Sequence, residues 1–221
     1  MVLREERELV VEYGKKLSQE KLSVGTSGNI SVYNAEEGLM AITPSGMDYM
    51  KLKPEDVVVM DLDSHLVDSN RKPSSEWALH TGFYLKKKDI RAVVHTHPKY
   101  STIFAVLRES IRPVHYAMAG IGTYEVPCAP YYMYGTPELA HTAVETCGEG
   151  RAVLLANHGL ITCGETLPQA YDLTANVEYT AELVYRSRAI GQPVYLSEEE
   201  VKAVYESFQT YGQADSGKKG Y

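Results

Sequence analysis

The chain has 221 residues, 44% of them apolar, with 22 basic side chains against 29 acidic ones and a formal charge of -7. That length and apolar share predict one domain with a substantial core, and the acidic balance without a basic tract excludes a nucleic-acid surface. No apolar run approaches the ~20 residues of a membrane span, and the charged opening Arg4-Glu5-Glu6-Arg7-Glu8 is not a signal peptide, so a cytoplasmic protein is expected.

Residues 2–20 predict an amphipathic helix with Leu3, Val10, Tyr13 and Leu17 on one side. The glycine-interrupted segment 24–32 leads through Glu36-Glu37-Gly38 to a short strand over 39–43, and 57–60 is a buried strand. A helix follows Pro73, with Ser74 or Ser75 as its N-cap, and runs to about Lys87. Next come a strand ending in His97, a helix over about 100–108, and a mixed segment rich in Gly and Pro. Pro137 opens a helix to Thr146, an apolar run over 152–156 leads to His158, and Pro168 opens a long helix to Ile190, closed by Gly191-Gln192-Pro193. A last helix starts at Ser197, and residues 213–221 read as a flexible polar tail. Interleaved strands and helices predict a layered α/β domain over 1–221, without repeats or a linker.

Chemistry first shows at His95-Thr96-His97, where an apolar run ends in two imidazoles. Side chains at i and i+2 of a strand share a face, so both aim at one point. His158 ends another apolar run just before Gly159. Singly, each reads as a core histidine at a strand end; three together are the ligand set of a catalytic zinc with an open position. Cys128, Cys147 and Cys163 lack CxxC spacing and read as reduced thiols, not zinc ligands. Seventeen tyrosines against three phenylalanines suit semi-polar surfaces such as subunit interfaces or a sugar cleft.

Three small-residue turns precede the histidines: Thr26-Ser27-Gly28-Asn29, Thr43-Pro44-Ser45-Gly46 and Lys72-Pro73-Ser74-Ser75. One alone is an ordinary turn or cap; as a set beside an HxH pair they offer amides and hydroxyls to a phosphate. No GxGxxG or Walker pattern indicates a dinucleotide or NTP. Glu76 is not the capping-box glutamate of Ser74, because the third residue after Ser74 is Trp77. Beside a phosphate turn and a metal it is placed to act as a general base. His80, one helical turn on, is either its orienting partner or a packed residue, and packing is favoured.

In order along nearly the whole chain, Thr26-Ser27-Gly28-Asn29, Thr43-Pro44-Ser45-Gly46, Pro73-Ser74-Ser75-Glu76, His95-Thr96-His97 and Asn157-His158-Gly159 resemble the motifs of the class II aldolase/epimerase family. Within it, the details are most similar to the L-fuculose-1-phosphate aldolase branch. Glu76 stands where the epimerase branch has aspartate, and His115 is followed by Tyr116 and Ala117 with no aspartate before Pro127-Cys128. The run His158 to Gly164 also lacks the tryptophan that epimerases and dehydratases place there, and Phe208-Gln209-Thr210-Tyr211-Gly212 is similar to the aldolase tail.

The resemblance implies a three-layer α/β/α domain around a mixed, mostly antiparallel sheet. It implies zinc (Zn2+) on His95, His97 and His158, with Glu76 as base and as a further ligand in the empty site. Thr26, Ser27, Gly28, Asn29, Thr43, Ser45, Gly46, Ser74 and Ser75 would bind phosphate. Tyr116 from a neighbouring subunit would protonate the aldehyde oxygen, and Tyr134 and Tyr211 would flank the aldehyde. The implied protein is a cyclic homotetramer with active sites between subunits. Its implied reaction is reversible cleavage of L-fuculose 1-phosphate, or a close ketose 1-phosphate, to dihydroxyacetone phosphate and L-lactaldehyde through an enediolate. L-ribulose-5-phosphate 4-epimerase and methylthioribulose-1-phosphate dehydratase activities are the alternatives. Non-catalytic cytoskeletal modules with a similar fold lack the zinc histidines that this chain keeps.

Overall fold

The computed structural model describes residues 1–208. Its frame is an eight-stranded sheet made of β1 (Asn29–Asn34), β2 (Leu39–Ile42), β3 (Val58–Asp61), β4 (Leu66–Asp68), β5 (Ala92–Thr96), β6 (Cys128–Ala129), β7 (Ala152–Leu155) and β8 (Gly159–Gly164). The strands lie in the order β4-β3-β2-β1-β5-β8-β7-β6. Only β6 and β7 pair in parallel; every other pairing is antiparallel.

Period-two alternation assigns the strand side chains to two cores. Met40, Ile42, Val58, Met60, Val93, Val153, Leu155 and Ile161 face α2 (Trp77–Lys86) and α4 (Pro137–Cys147), meeting Leu79, Phe83, Ala143 and Val144. The alternate residues Ile30, Val32, Ala41, Val59, Ala92 and Val94 face α1 (Arg4–Gln19) and the start of α5 (Leu167–Ile190). Further along that face, Leu154 and Leu160 pack on α3 (Lys99–Leu107) and the later turns of α5. Helices on both faces of one mixed, mostly antiparallel sheet are the expected three layers. A last helix, α6 (Glu198–Phe208), follows α5.

Several boundaries differ from expectation. β4 and β6, of three and two residues, are too short for periodicity to show. α2 begins at Trp77, not at Ser74 or Ser75. The Ser74 carbonyl accepts the Trp77 amide at 3.2 Å and its hydroxyl oxygen accepts the Glu76 amide at 3.3 Å, so a separate turn precedes the helix. Arg7, in the charged opening, is 1% exposed. Its guanidinium donates to the carbonyls of Pro54, Val57 and Asp68, pinning α1 to the outer strands.

The same alternation positions the chemistry. Within Ala92–Thr96, Val93 and His95 share the face covered by α2, while Ala92 and Val94 point to the other side. His95 therefore emerges beside the turn that carries Glu76.

Candidate active site

The three histidines converge. His95 Nε2 lies 3.0 Å from His97 Nε2 and 3.2 Å from His158 Nε2. The Nδ1–H of His95 donates to the Leu160 carbonyl at 3.0 Å, which turns its Nε2 toward the other two rings. Burial pushes His97 down to about 3 and His158 to about 4, and the neighbouring His95 acts in the same direction. Both rings are therefore neutral at pH 7, the form a metal ligand needs. His158 reaches the cluster because Asn157 takes the left-handed conformation, φ 56°, held by the Arg108 Nε–H on its side-chain oxygen at 3.0 Å.

Glu76 completes the cluster. It sits at the start of α2 without capping its own helix. Its Oε2 is 3.3 Å from His95 Nε2 and its Oε1 is 3.5 Å from His158 Nε2. Burial pushes this carboxyl up, but the neighbouring His95 and His158 rings and the Asn29 amide outweigh it and hold the pKa well below the carboxylate range. Oε1 is buried with no hydrogen-bond partner. Clustered imidazole lone pairs beside an orphaned carboxylate oxygen fit a divalent cation, which supplies what each of them lacks. His95, His97 and His158 would hold it, with Glu76 alongside.

The cluster floors a cleft of about 340 Å³. It is lined by Thr26, Ser27, Gly28 and Asn29, by Ser45, Gly46, Ser74 and Ser75, and by Tyr131, Tyr132 and Tyr134. Gly28 is indispensable here: at φ 80° it passes so close to β5 that a Cβ would lie 2.7 Å from the His95 carbonyl.

The turns do not offer what their sequence promised in every case. Thr43 is 2% exposed beneath the cleft, its hydroxyl oxygen accepting the Ile30 amide and its carbonyl accepting the Ser74 amide. It ties two turns together and does not line the cleft. Ser27 donates both its amide and its hydroxyl to the Val24 carbonyl, which closes the first turn. The amides of Ser45 and Ser74 go to Lys72 and Thr43, so these two can offer an anion their hydroxyls and not their N–H groups. Asn29 spends its side chain on Glu76 and His80.

Tyr134 lines the cleft as expected, joined by Tyr131 and Tyr132, which sequence reasoning missed. The run Tyr131-Tyr132-Met133-Tyr134 ahead of Gly135 was the available signal; Gly135, at φ 74°, brings this loop against the Ser75 carbonyl. Tyr116 opens a separate 3-10 turn, 56% exposed with its ring tilted against His115, and does not line the cleft of its own chain. Tyr211 and the tail lie outside the described residues. Glu178 of α5 was also missed. It accepts the amides of Tyr100 and Ser101 at 2.8 Å, capping α3 directly after the His97-Pro98 corner.

Comparison with known proteins agrees with this geometry. Residues 8–185 match the class II aldolase and adducin N-terminal domain. A 5-deoxy-D-ribulose 1-phosphate aldolase of Bacillus thuringiensis serovar kurstaki is 44% identical over 213 residues, covering 96% of this chain and 100% of its own. The L-fuculose phosphate aldolase of Escherichia coli K12 is 40% identical, covering 86% of this chain and 88% of its own. A solved L-fuculose 1-phosphate aldolase superposes with a TM-score of 0.91 at 41% identity, over 94% of this chain and 98% of its own. The chain belongs to the class II aldolase family.

Proposed function

We propose that the chain is a zinc-dependent aldolase that reversibly splits a ketose 1-phosphate into dihydroxyacetone phosphate and an aldehyde. One observation carries the reading: an ionised, half-satisfied carboxylate lies against three clustered imidazoles in a cleft lined by hydroxyl-rich turns and tyrosines. A bound cation would supply Lewis-acid polarisation of the substrate oxygens; three imidazoles suit zinc, although availability also governs which ion such sites hold. The chain's own residues do the rest. The hydroxyls of Ser45, Ser74 and Ser75 and the Gly46 turn receive the phosphate, fixing the substrate's first three carbons over Glu76. Glu76 takes and returns the proton at the carbon that makes or breaks the bond. Tyr116, exposed and not lining its own cleft, serves a neighbouring copy by protonating the aldehyde oxygen, which requires an assembly of copies such as the homotetramer.

The relatives' printed substrates are both ketose 1-phosphates. Cleavage between C3 and C4 gives dihydroxyacetone phosphate from either, with acetaldehyde from the 5-deoxypentulose and lactaldehyde from fuculose. The higher identity to the 5-deoxyribulose-phosphate aldolase makes that sugar the first to test and L-fuculose 1-phosphate the second. The experiment records dihydroxyacetone phosphate release from each sugar before and after chelation, in wild type and Glu76→Gln. Release should stop on chelation and fall ~10²–10⁴-fold in Glu76→Gln. An epimer or a dehydrated product without dihydroxyacetone phosphate would instead assign the site to the epimerase or dehydratase chemistry.

A further inference from the structure

We infer that His80 is a positioning residue for Glu76, acting through Asn29; this rests on Glu76 being the base. Five side chains, none more than 7% exposed, form one chain of hydrogen bonds ending on that carboxylate. The sequence alone favoured His80 as a packed residue, yet both its ring nitrogens are engaged.

Chemistry fixes the direction of the chain. An ionised Glu76 can only accept, so Asn29 donates its Nδ2 to Oε2 at 2.9 Å. The Asn29 Oδ1 must then accept, and His80 Nε2–H donates to it at 2.5 Å. Burial holds His80 down to about 3, so the ring is neutral and has one proton to place. With that proton on Nε2, Nδ1 accepts the Ser31 hydroxyl at 2.6 Å. Ser31 Oγ in turn accepts the Tyr84 hydroxyl at 2.6 Å. Every donor thus points toward Glu76, and no member can flip without leaving a buried group unpaired.

The consequence concerns the two carboxylate oxygens. Oε2 is anchored by Asn29, while Oε1 has no hydrogen-bond partner. Besides the imidazoles of the cation cluster, the Asn29 amide is what holds the carboxylate among the described residues, and His80 sets its orientation. Without the His80 donor, the Asn29 side chain can turn and Glu76 loses its anchor, a displacement to which proton transfer is sensitive.

The test measures solvent-deuterium exchange into dihydroxyacetone phosphate, bound metal per chain, and the His80 tautomer by imidazole ¹⁵N spectroscopy of the metal-free protein. His80→Leu should lower the exchange kcat ~10–100-fold, the usual effect of losing a partner that orients a ligand or base. KM and metal stoichiometry should stay at wild-type values. His80→Gln, which keeps a donor near the Nε2 position, should restore most of the rate. Ser31→Ala removes only a hydroxyl, so it carries the test if His80→Leu does not fold; it should release the fixed Nε2–H tautomer and lower kcat with KM unchanged. In an Asn29→Leu background, His80→Leu should cost nothing further. An Nδ1–H tautomer, wild-type kcat in Ser31→Ala, or additive losses with Asn29→Leu would overturn the inference. Wild-type exchange in Glu76→Gln would overturn the base assignment as well; lost exchange there with undiminished kcat in His80→Leu removes this inference alone.

Discussion

The floor and the rim of the cleft are built from different material. On the floor, His95 and His80 are fully buried, Glu76 is 7% exposed, and each is fixed by the sheet or by a buried hydrogen bond. On the rim, Tyr131, Tyr132 and Tyr134 are 55%, 42% and 61% exposed on the loop between β6 and α4. A floor locked into the core holds one chemistry whatever sugar enters. A rim on a loop can change without disturbing it. The relatives divide in the same way: their names share an aldolase and a phosphate ester and differ in the sugar.

The largest break in this comparison comes from the floor. His95→Ala removes a cation donor and the acceptor's partner at Leu160 together. It should abolish both metal binding and aldol cleavage, measured as metal per chain and dihydroxyacetone phosphate release. Retained stoichiometry would strike His95 from the ligand set. Next in size is Gly159→Ala. A Cβ there would lie 2.4 Å from the Thr96 carbonyl and 2.5 Å from the His97 ring, so His97 must move. Such overpacking typically costs ~1–3 kcal/mol, to be read from chemical unfolding, and metal affinity should fall with it. Unchanged stability and affinity would mean that β8 can move away from the His97 corner.

The floor was legible in the sequence because its rules are local. The i, i+2 spacing of His95 and His97 survives although His97 falls one residue beyond β5: their Nε2 atoms still meet at 3.0 Å. The turns were legible only as turns. Whether an amide or hydroxyl is free depends on its long-range partner, and nothing near Thr43 or Ser27 announces that Ile30 or Val24 uses it. The hydrogen bonds of His80, favoured from the sequence as a packed residue, were hidden for the same reason, its partners Asn29 and Ser31 being 51 and 49 residues away in sequence. The rim was least legible: among seventeen tyrosines, only the Gly135 contact with Ser75 singles out the run over 131–134.

A rim substitution sharpens the contrast. Tyr134→Ala should leave deuterium exchange into dihydroxyacetone phosphate at the wild-type rate, because that step needs only the floor. It should shift the kcat/KM ratio between 5-deoxyribulose 1-phosphate and fuculose 1-phosphate by ~10-fold, the scale of one lost side-chain contact. Equal losses in exchange and cleavage would show that the rim and floor are not separable.

The last effect is on stability, and it belongs to the floor alone. His80 has a folded pKa of about 3 against an ordinary value of 6.5, burial being the main cause and the neighbouring His95 the next. Below pH 6.5 the unfolded chain takes up a proton here that the folded one refuses. The contribution is therefore complete above pH 6.5 and is lost progressively as pH falls toward 3. One such proton changes stability by ~1.4 kcal/mol per pH unit, so about 2 kcal/mol should disappear between pH 6.5 and 5. His80→Gln cannot take up that proton. Its metal-free form should lose about 2 kcal/mol less than wild type over this interval, whatever its stability at neutral pH. Tyr134→Phe should follow the wild-type slope, since the rim takes no part in this uptake. Urea unfolding of the three metal-free proteins at pH 7.5 and 5 makes the measurement. A wild-type slope in His80→Gln would mean that the ring is charged or solvated in the folded state, and the buried neutral link to Asn29 would then be wrong.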